Sequence, residues 1–501
     1  MFKPVFRRVL CLTALSLPVF GQTAQAQVQT QTSIQHQTKS CRIVSFPQEL
    51  QCGQIQRPLD PAKPDGKKID VHYVVLPSKD KNKLPDAVFL LAGGPGQSAV
   101  AAAGFGEAVL GKLNRRRDLV FVDQRGTGKS ASLKCVALEE SDKMLDKDSA
   151  LQASLDCMRD LQKMPHGDLQ FYSTSIAVQD LEAIRVAQNY SAINLVGASY
   201  GTRVGLEYLR QYPQSVRRLV MDGVVPPDLN LLGTDAQIAL DGVFADCLKS
   251  KRCNAAYPEL ANTWKRLLNS TPRQVTFTNP RLLTSISMKL AREDLIGMVL
   301  KALYSPVMTS VLPYAITQAE QGKLDPLLSL SGSFNQPGPG GLTLGMHYSV
   351  WCGEAYAKPR PASAVSDEFT ARSAESYDKI CASWPRADIP KEFYTIPSAK
   401  SPVLLLSGGI DPVTPTRNGD QVAKALGAKA RHVSIENMGH GLLMHGCVRE
   451  VVDKFLAAKN DDEALKVDTS CVRQIPRPLV WLAPTPNASV SAATEVKKAG
   501  E

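Results

Sequence analysis

The spacing of hydrophobic residues along this chain indicates two sheet-forming regions separated by a helical one. Short apolar runs rich in β-branched residues are typical of buried strands. They occur at 69–76, 87–91, 119–122, 193–196, 218–221, 402–406 and 431–435. Between some of them apolar residues recur at helical spacing, as at Val178, Leu181 and Ile184, where Ser175 is a candidate helix cap. Strands that alternate with helices predict a mostly parallel sheet covered on both faces.

The alternation stops between residues 226 and 398. Helical periodicity is clear there at 295–303, 311–318 and 369–380, and the proline- and glycine-rich run 336–341 reads as a loop. We therefore predict a helical cap, residues 226–398, inserted into an α/β core. The core is made of a first part, 41–225, and a C-terminal part, 399–476, and residues 477–501 form a tail.

The stretch around Ser199 has the pattern of a nucleophile elbow. Gly197, Ser199 and Gly201 form a G-x-S-x-G motif that follows the strand 193–196 and opens a helical pattern. Glycine is needed at both ends because strand and helix approach closely there. The backbone N–H of Tyr200 then lies at a helix N-terminus, where it can stabilise an oxyanion. Ser199 is accordingly the candidate nucleophile.

Two glycine-rich loops resemble nucleotide-binding motifs without satisfying them. The run 128–130 ends like a P-loop, but the first glycine of that motif would be Asp123. In the loop that follows the strand 87–91, Pro95 lacks an N–H and no ribose-binding acid follows. An oxyanion loop is the better interpretation, with Gly94 as the preferred donor and Gly93 as the second choice.

An acid and a histidine follow the last two predicted strands. The order Ser199, Asp411, His440 along the chain is that of the α/β hydrolases. His440 would take the proton of the nucleophile, and Asp411 would orient the imidazole and stabilise its cation. Asp222, just after the strand 218–221, is a rival acid. The other histidines lie in the tail, in an early strand or outside such a loop context: His36, His72, His166, His347, His432 and His445.

The composition is that of an ordinary globular protein, and the N-terminal residues have the pattern of an export signal. The 501 residues are 44% hydrophobic and carry a net charge of +10, but the cations are scattered, so we expect no nucleic-acid partner. Lys3, Arg7 and Arg8 precede an apolar run and an A-x-A site, which predicts a signal peptide at 1–26 and a periplasmic or secreted protein without stable membrane insertion. Residues 27–40 are rich in Gln and Thr and are predicted to be disordered.

The cysteines fit an exported protein. Of the 11 cysteines one lies in the signal peptide, and the other ten form an even set of chain neighbours. Ten cysteines allow roughly 900 pairings, so the sequence does not fix the pattern, and pairing of neighbours is the simplest choice. These pairs are Cys41 with Cys52, Cys135 with Cys157, Cys247 with Cys253, Cys352 with Cys381, and Cys447 with Cys471. The spacing lacks the features of a zinc site, and we expect neither a metal nor a cofactor.

Taken together, these motifs resemble the proline iminopeptidase and tripeptidyl aminopeptidase family of α/β hydrolases over roughly residues 41–476. The segments that carry the resemblance are 93–96 (with Ala92 in place of the usual histidine), 123–128, Asp180–Glu182 with Arg185, 409–415, and 439–441 with Cys447 and Cys471. The resemblance implies an exported serine hydrolase that forms an acyl-enzyme, and it makes Cys447–Cys471 the most strongly expected disulfide.

The substrate is less constrained than the mechanism. We expect an aminopeptidase that releases residues or short peptides from free N-termini. A carboxylesterase or other small-molecule acyl hydrolase is the main alternative, and a catalytically inactive binding protein is a third. An aminopeptidase needs a carboxylate for the substrate's α-amino group. Glu354 is the candidate, because similar Cys-x-acid segments in the tripeptidyl aminopeptidases are associated with binding of the N-terminus.

Overall fold

The structure of this chain is a computed structural model that describes residues 38–139, 147–229, 234–278, 285–332, 341–356, 360 and 365–483. The predicted signal peptide, nearly all of the segment 27–40, most of the loop 336–341 and most of the tail 477–501 lie outside the described residues. The strands are β1 (Lys39–Ile43), β2 (Phe46–Pro58), β3 (Lys68–Leu76), β4 (Asp86–Leu91), β5 (Leu119–Val122), β6 (Ala192–Ala198), β7 (Val216–Asp222), β8 (Arg273–Thr278), β9 (Ser285–Leu290), β10 (Val403–Gly408) and β11 (Ala430–Ile435).

The helices alternate with strands before β7 and cluster between β7 and β10. They are α1 (Ala103–Leu110), α2 (Val136–Glu139), α3 (Lys147–Gln162), α4 (Thr174–Ala187), α5 (Tyr200–Gln211), α6 (Ala236–Lys249), α7 (Lys251–Ala256), α8 (Leu260–Asn269), α9 (Arg292–Leu303), α10 (Pro306–Thr309), α11 (Leu312–Glu320), α12 (Asp325–Gly332), α13 (Leu344–Val350), α14 (Glu368–Cys381), α15 (Thr416–Leu426), α16 (Val448–Ala457) and α17 (Asp461–Leu465).

Nine of the described strands form one large sheet in the order β1-β2-β3-β5-β4-β6-β7-β10-β11. The pairs β1–β2, β2–β3 and β3–β5 are antiparallel, and the remaining pairs are parallel. The predicted α/β fold with a mostly parallel sheet is therefore confirmed. The sequence analysis missed β1 and β2, whose exposed and buried side chains do not alternate with a clear two-residue period. Lys39 and Ser40, predicted to be disordered, belong to β1.

Two hydrophobic layers cover the faces of the sheet. Along β4, Ala87, Phe89 and Leu91 join one layer, and Val88 and Leu90 join the other, as the alternation of a strand requires. Helix α4 packs its predicted apolar face into the first layer. The predicted cap at Ser175 was wrong: the helix begins at Thr174, with Ser173 at the N-cap position and Ser175 in the first turn.

The inserted region contains more than helices. Strands β8 and β9 form a separate antiparallel hairpin that helical periodicity did not reveal. Helices α6, α8, α9, α11 and α12 enclose their own hydrophobic cluster, while the later part, including Met346, Val350 and Ile380, packs on the sheet layer. The N–H of Trp481, beyond the C-terminal core part, donates to the C=O of Ser310, so the described start of the tail lies against the cap.

All ten cysteines of the described residues form disulfides between chain neighbours. The bonds are Cys41–Cys52, Cys135–Cys157, Cys247–Cys253, Cys352–Cys381 and Cys447–Cys471. The last bond links the start of α16, shortly after His440, to the segment that follows α17. Cys41–Cys52 joins the edge strands β1 and β2, and the other four bonds connect helices and loops around the sheet.

Candidate active site

Ser199 lies at a sharp turn between β6 and α5. Its backbone has φ +53° and ψ −123°, a conformation that a non-glycine residue rarely adopts. A Cβ at Gly197 would lie 2.4 Å from the carbonyl oxygen of Gly201, and a Cβ at Gly201 would lie 2.1 Å from that of Leu91. Only glycine fits at these two positions, because the strand and the helix approach each other closely there, as the sequence predicts. The turn raises Ser199 at the carboxyl edge of the sheet.

Asp411 and His440 meet at the same edge. Asp411 follows β10 and His440 follows β11, two strands paired in parallel register up to Gly408 and Ile435. The Nδ1 of His440 lies 2.7 Å from Oδ2 of Asp411. Oδ1 of Asp411 accepts the N–H groups of Val413 and Thr414, each at 2.9 Å. The carboxylate is fully buried, whereas 12% of the His440 side chain is exposed.

Asp222 and Gly223 connect the elbow with the His440 loop. The N–H of Ser199 donates to the C=O of Asp222 at 2.7 Å. A Cβ at Gly223 would lie 3.0 Å from Cε1 of His440. The carboxylate of the rival acid Asp222 accepts the N–H groups of Leu442 and Leu443, at 2.9 Å and 3.1 Å. Asp411 therefore makes the hydrogen bond to His440, and Asp222 holds the backbone just after it.

The charges of this cluster are coupled. Burial alone would lower the pKa of His440, but the charge and hydrogen bond of Asp411, with the charge of Asp222, raise it above its ordinary value. Burial alone would raise the pKa of Asp411, yet His440 and Thr414 hold it below its usual range. Burial raises the pKa of Asp222 to about 6, although the N–H of Leu442 opposes the rise. The arrangement stabilises an imidazolium and can serve proton transfer.

The predicted oxyanion loop lies against the elbow. A Cβ at Gly93 would lie 3.3 Å from Cβ of Ser199, and Gly94 has a φ of +109° that favours glycine. Tyr200 opens α5, and its hydroxyl contacts Oγ1 of Thr174 at 2.6 Å and Nε2 of Gln124 at 2.9 Å. These contacts keep the residue after Ser199 in place. Gly94 and Tyr200 stay our predicted oxyanion donors.

The cap supports the outer side of that loop. The N–H of Thr343 donates to the C=O of Gly96 at 2.9 Å. Nδ1 of His347, on α13, lies 3.0 Å from the C=O of Pro95, and its Nε2 lies 2.8 Å from the hydroxyl of Tyr377 on α14. Burial lowers the pKa of His347 to about 4, so this histidine is neutral and can bridge loop and cap. The predicted core and cap thus meet at the oxyanion loop.

Glu354 lies in the cap, in a π-helical turn, Trp351–Ala355. Its side chain is fully buried, with Oε1 2.6 Å from the N–H of Thr174 and Oε2 3.5 Å from Nη1 of Arg203. Burial raises the pKa of Glu354, and Arg203 and Thr174 oppose that rise. A substrate ammonium group would have to share this carboxylate with Arg203. The role of Glu354 in binding an amine stays a prediction.

Sequence reasoning missed three residues that contact this site. Oγ1 of Thr414 donates to Oδ2 of Asp411 at 2.5 Å and lies 3.0 Å from Nδ1 of His440. The ring centroid of Tyr304 is 5.1 Å from that of His440, and its C=O accepts the N–H of His440. The sequence analysis excludes His347 because of its segment, yet this histidine contacts the oxyanion loop at Pro95. Thr414 stands in the same loop as Asp411, so that contact could have been found, whereas Tyr304 and His347 are brought in by tertiary packing.

A second group of serine, histidine and aspartate lies nearby. Oγ of Ser407, on β10, is 2.9 Å from Nε2 of His432, and Nδ1 of His432 is 2.9 Å from Oδ1 of Asp420 on α15. Ser407 is completely buried. A Cβ at Gly419 would lie 2.6 Å from Oγ of Ser407, so α15 covers this hydroxyl. No substrate carbonyl can reach it, and we assign the group a structural role.

Two further features of the described residues bear on function. Within the described ranges, His, Cys, Asp and Glu residues form no group of three or more that could hold a metal ion. In that same part of the chain, no helix is both long enough and apolar enough to cross a membrane.

This chain has the α/β-hydrolase fold, with its nine-stranded sheet, the elbow after β6 and the loops of Asp411 and His440 after β10 and β11. Residues 366–471 match a family model described as TAP-like protein. The chain is 25% identical to the serine protease Hip1 of Mycobacterium tuberculosis over 460 residues, which cover 82% of this chain and 86% of that protein. These findings confirm the resemblance to the tripeptidyl aminopeptidase group.

Two other relatives show the breadth of the group. The tripeptidyl aminopeptidase of Streptomyces coelicolor is 29% identical over 242 residues, which cover 44% of each chain. Carboxylesterase B of Mycobacterium tuberculosis is 26% identical over 487 residues, which cover 87% of this chain and 89% of that protein. The relatives support a hydrolase and include both peptidase and esterase names.

Proposed function

We propose that this protein is an exported serine aminopeptidase that releases residues or short peptides from free peptide N-termini. The observation that carries the proposal is the hydrogen-bonded pair Asp411–His440 at the sheet edge where the elbow presents Ser199. Asp222 contacts the backbone of Ser199, and the adjacent Gly223 lies against His440, so this pair of residues connects the elbow with the histidine loop. Similarity to Hip1 and to a tripeptidyl aminopeptidase supports a peptidase over other hydrolases.

The proposed reaction uses only side chains and backbone of this chain. Oγ of Ser199 attacks the scissile carbonyl while neutral His440 takes its proton. The N–H groups of Gly94 and Tyr200 stabilise the oxyanion. His440 then protonates the leaving amine, and an acyl-enzyme remains on Ser199. Water activated by His440 releases the acyl group. Asp411 keeps Nδ1–H of His440 directed away from Ser199 and stabilises the imidazolium.

Glu354 is proposed to fix the substrate's N-terminus. Its Oε2 has no hydrogen-bond partner among the described residues, although Arg203 is within ion-pair distance. Thr174 connects this carboxylate with the hydroxyl of Tyr200 and so with the residue after the nucleophile. A substrate ammonium group that displaces Arg203 from Glu354 would place the peptide N-terminus close to Thr174 and Tyr200. Such displacement is the step that the aminopeptidase proposal requires.

A carboxylesterase is the second candidate, and one observation favours it. Arg203 already balances the charge of Glu354, so the buried carboxylate needs no substrate amine. The similarity to carboxylesterase B supports the same alternative. In that case Glu354 would only position Thr174 and Tyr200. Both candidates share Ser199, Asp411 and His440, and they differ in what the cap recognises.

A substrate panel separates the two candidates. Wild-type protein and the Glu354→Gln variant are assayed on a free-amine tripeptide anilide, its N-acetylated form and a small neutral ester. For an aminopeptidase, acetylation lowers kcat/KM sharply in the wild type and little in Glu354→Gln. Glu182→Gln, a half-buried acid paired with Arg185 in α4, is the matched control. Equal losses on peptide and ester in Glu354→Gln, or fast cleavage of the acetylated peptide by the wild type, would favour the esterase.

Export is proposed from the sequence at 1–26 and from the five disulfides, which persist in oxidising compartments. Expression in a bacterial host followed by N-terminal sequencing of the mature protein tests it. The proposal requires recovery outside the cytoplasm with a new N-terminus at Gln27. An intact Met1 on cytoplasmic protein would contradict it.

A further inference from the structure

Two cations lie together on the cap. Lys301 is on α9 and Arg372 is on α14. A Cβ at Gly297 would lie only 3.0 Å from Nη2 of Arg372, so the guanidinium lies flat against that turn of α9. Gly297 and Lys301 are four residues apart and therefore share one face of the helix. Arg372 accordingly faces the stretch of α9 from which Lys301 projects.

No carboxylate of the described residues forms an ion pair with either cation. Their neighbours on the same helices are paired, since Arg292 bonds to Glu368 and Lys379 to Glu375. Asp294, which the charge of Arg372 reaches, accepts the N–H of Ala291 at the start of α9. The cap segments 230–233, 279–284, 333–340, 357–359 and 361–364 contain no Asp or Glu.

Holding two cations together in a partly buried place is unfavourable without an anion. Burial, with the charge of Arg372, lowers the pKa of Lys301 to about 8. Both side chains keep part of their surface exposed, so solvent or a ligand can reach them. A carboxylate placed between an ammonium and a guanidinium group would form charge-assisted hydrogen bonds with both.

The two helices that carry the cations also lead to the site. Tyr304, three residues after Lys301, packs its ring on His440. Tyr377, on the same helix as Arg372, bonds to His347, which contacts the oxyanion loop at Pro95. Tyr304 and Tyr377 are both partly exposed and near enough for their charges to interact.

We propose that Lys301 and Arg372 bind a carboxylate of the substrate while Ser199 attacks its carbonyl. The inference rests on the proposed serine-hydrolase function and adds the substrate class, an acyl compound that carries a carboxylate. That carboxylate is either an acidic side chain or the free C-terminus of a short peptide. Both carboxylates would bind the two cations in the same way, and peptides that carry only one of them distinguish the two sources.

Three free-amine peptides distinguish the sources. The first has an acidic side chain and an amidated C-terminus, the second a neutral side chain and a free C-terminus, and the third is neutral and amidated. The wild type is expected to prefer one of the first two over the third about tenfold to hundredfold in kcat/KM. A preference for the first assigns the side chain, and a preference for the second assigns the C-terminus.

The variants Lys301→Met and Arg372→Met test the residues. Each is expected to lower the ratio of kcat/KM between the carboxylate substrate and the neutral one about tenfold, whereas Lys289→Met, an exposed cation on β9, keeps it. Thermal unfolding shows whether each variant is folded. A wild type without carboxylate preference, or variants with an unchanged ratio, would overturn the inference and leave the hydrolase function standing.

A second measurement does not depend on peptide cleavage. Glutarate should inhibit hydrolysis of a small neutral ester competitively in the wild type and several-fold more weakly in Lys301→Met. Equal inhibition of the two proteins, or none in the wild type, contradicts the cation site. If the wild type hydrolyses neither ester nor peptide, the proposed function itself fails, and that outcome is distinct from the loss of carboxylate preference.

Discussion

The molecule contains two groups of serine, histidine and aspartate within the same end of the sheet, and they differ in surroundings rather than in residue types. Ser407, His432 and Asp420 are linked by hydrogen bonds of 2.9 Å, but α15 covers the serine completely. Ser199 is partly exposed on a turn with a positive φ, beside a glycine loop and a helix N-terminus. Hydrogen-bond geometry alone therefore does not identify a hydrolase site, and access, backbone strain and oxyanion donors must accompany it.

Replacing the two serines gives the largest contrast. Ser199→Ala should lower kcat on any substrate by about 10⁶-fold, because it removes the nucleophile. Ser407→Ala should change kcat by less than about threefold and cost about 1 kcal/mol of unfolding free energy, since it loses only a buried hydrogen bond. Ester hydrolysis and thermal unfolding of the purified variants measure both effects. A large loss of activity in folded Ser407→Ala would reverse the assignment of the two groups.

The two aspartates sharpen the comparison. Asp411→Asn should lower kcat by about 10⁴-fold, because the amide no longer holds the required tautomer of His440 or stabilises its cation. Asp420→Asn removes the corresponding contact of His432, on a largely exposed side chain, and should leave kcat within about threefold. Steady-state kinetics with a small ester give the comparison. Similar losses of kcat in both variants would mean that the contact of His440 with Asp411 has no specific role in catalysis.

The pH dependence of kcat/KM tests the electrostatics of the pair. His440 must be neutral to take a proton, so activity rises as pH increases through its pKa. Because Asp411 and Asp222 raise that pKa, the midpoint of the acid limb should lie above 6.5 in the wild type. It should fall in Asp411→Asn and stay unchanged in Asp420→Asn. A wild-type midpoint below 6.5 would show that burial outweighs the acids.

The smallest predicted effect on catalysis is that of removing a disulfide, which should act on stability instead. Removing the bond Cys447–Cys471 by two alanine substitutions should cost about 3 kcal/mol, because it frees a loop of 24 residues in the unfolded chain. Denaturant unfolding measures the loss. The bond makes no contact with Ser199 or His440. At a low temperature, where the variant is folded, its kcat should therefore be near that of the wild type. A much larger loss of kcat than of stability would show that this bond positions His440.

Local patterns in the sequence were enough for the sheet domain but not for the cap. Apolar runs of four to eight residues predicted the parallel strands, and the steric needs of Gly197 and Gly201 were evident from the motif alone. The hairpin β8–β9 was missed because its strands alternate exposed with partly buried side chains and so contain no continuous apolar run. Contacts such as Tyr304 with His440 depend on how the insertion packs on the core, and no local pattern encodes that arrangement.

In the candidate site, too, local patterns predicted some residues, whereas the contacts of others depend on tertiary packing. Loop position after a strand predicted Asp411 and His440, and the structure places them in hydrogen-bond contact. The burial of Glu354 and its proximity to Arg203 could not be foreseen, because the two residues are 151 positions apart and lie in different parts of the fold. Residues 1–37 lie outside the described part of the chain, so the signal peptide stays a prediction.

The central claim, that Ser199 and not Ser407 is the nucleophile, is tested most directly by covalent labelling. The protein is treated with a serine-directed fluorophosphonate and digested, and the modified peptide is identified by mass spectrometry. The account predicts one label per chain, on Ser199, which is lost in Ser199→Ala, retained in Ser407→Ala and slowed in His440→Ala. Labelling of Ser407 or of another serine, or undiminished labelling of Ser199→Ala, would contradict it.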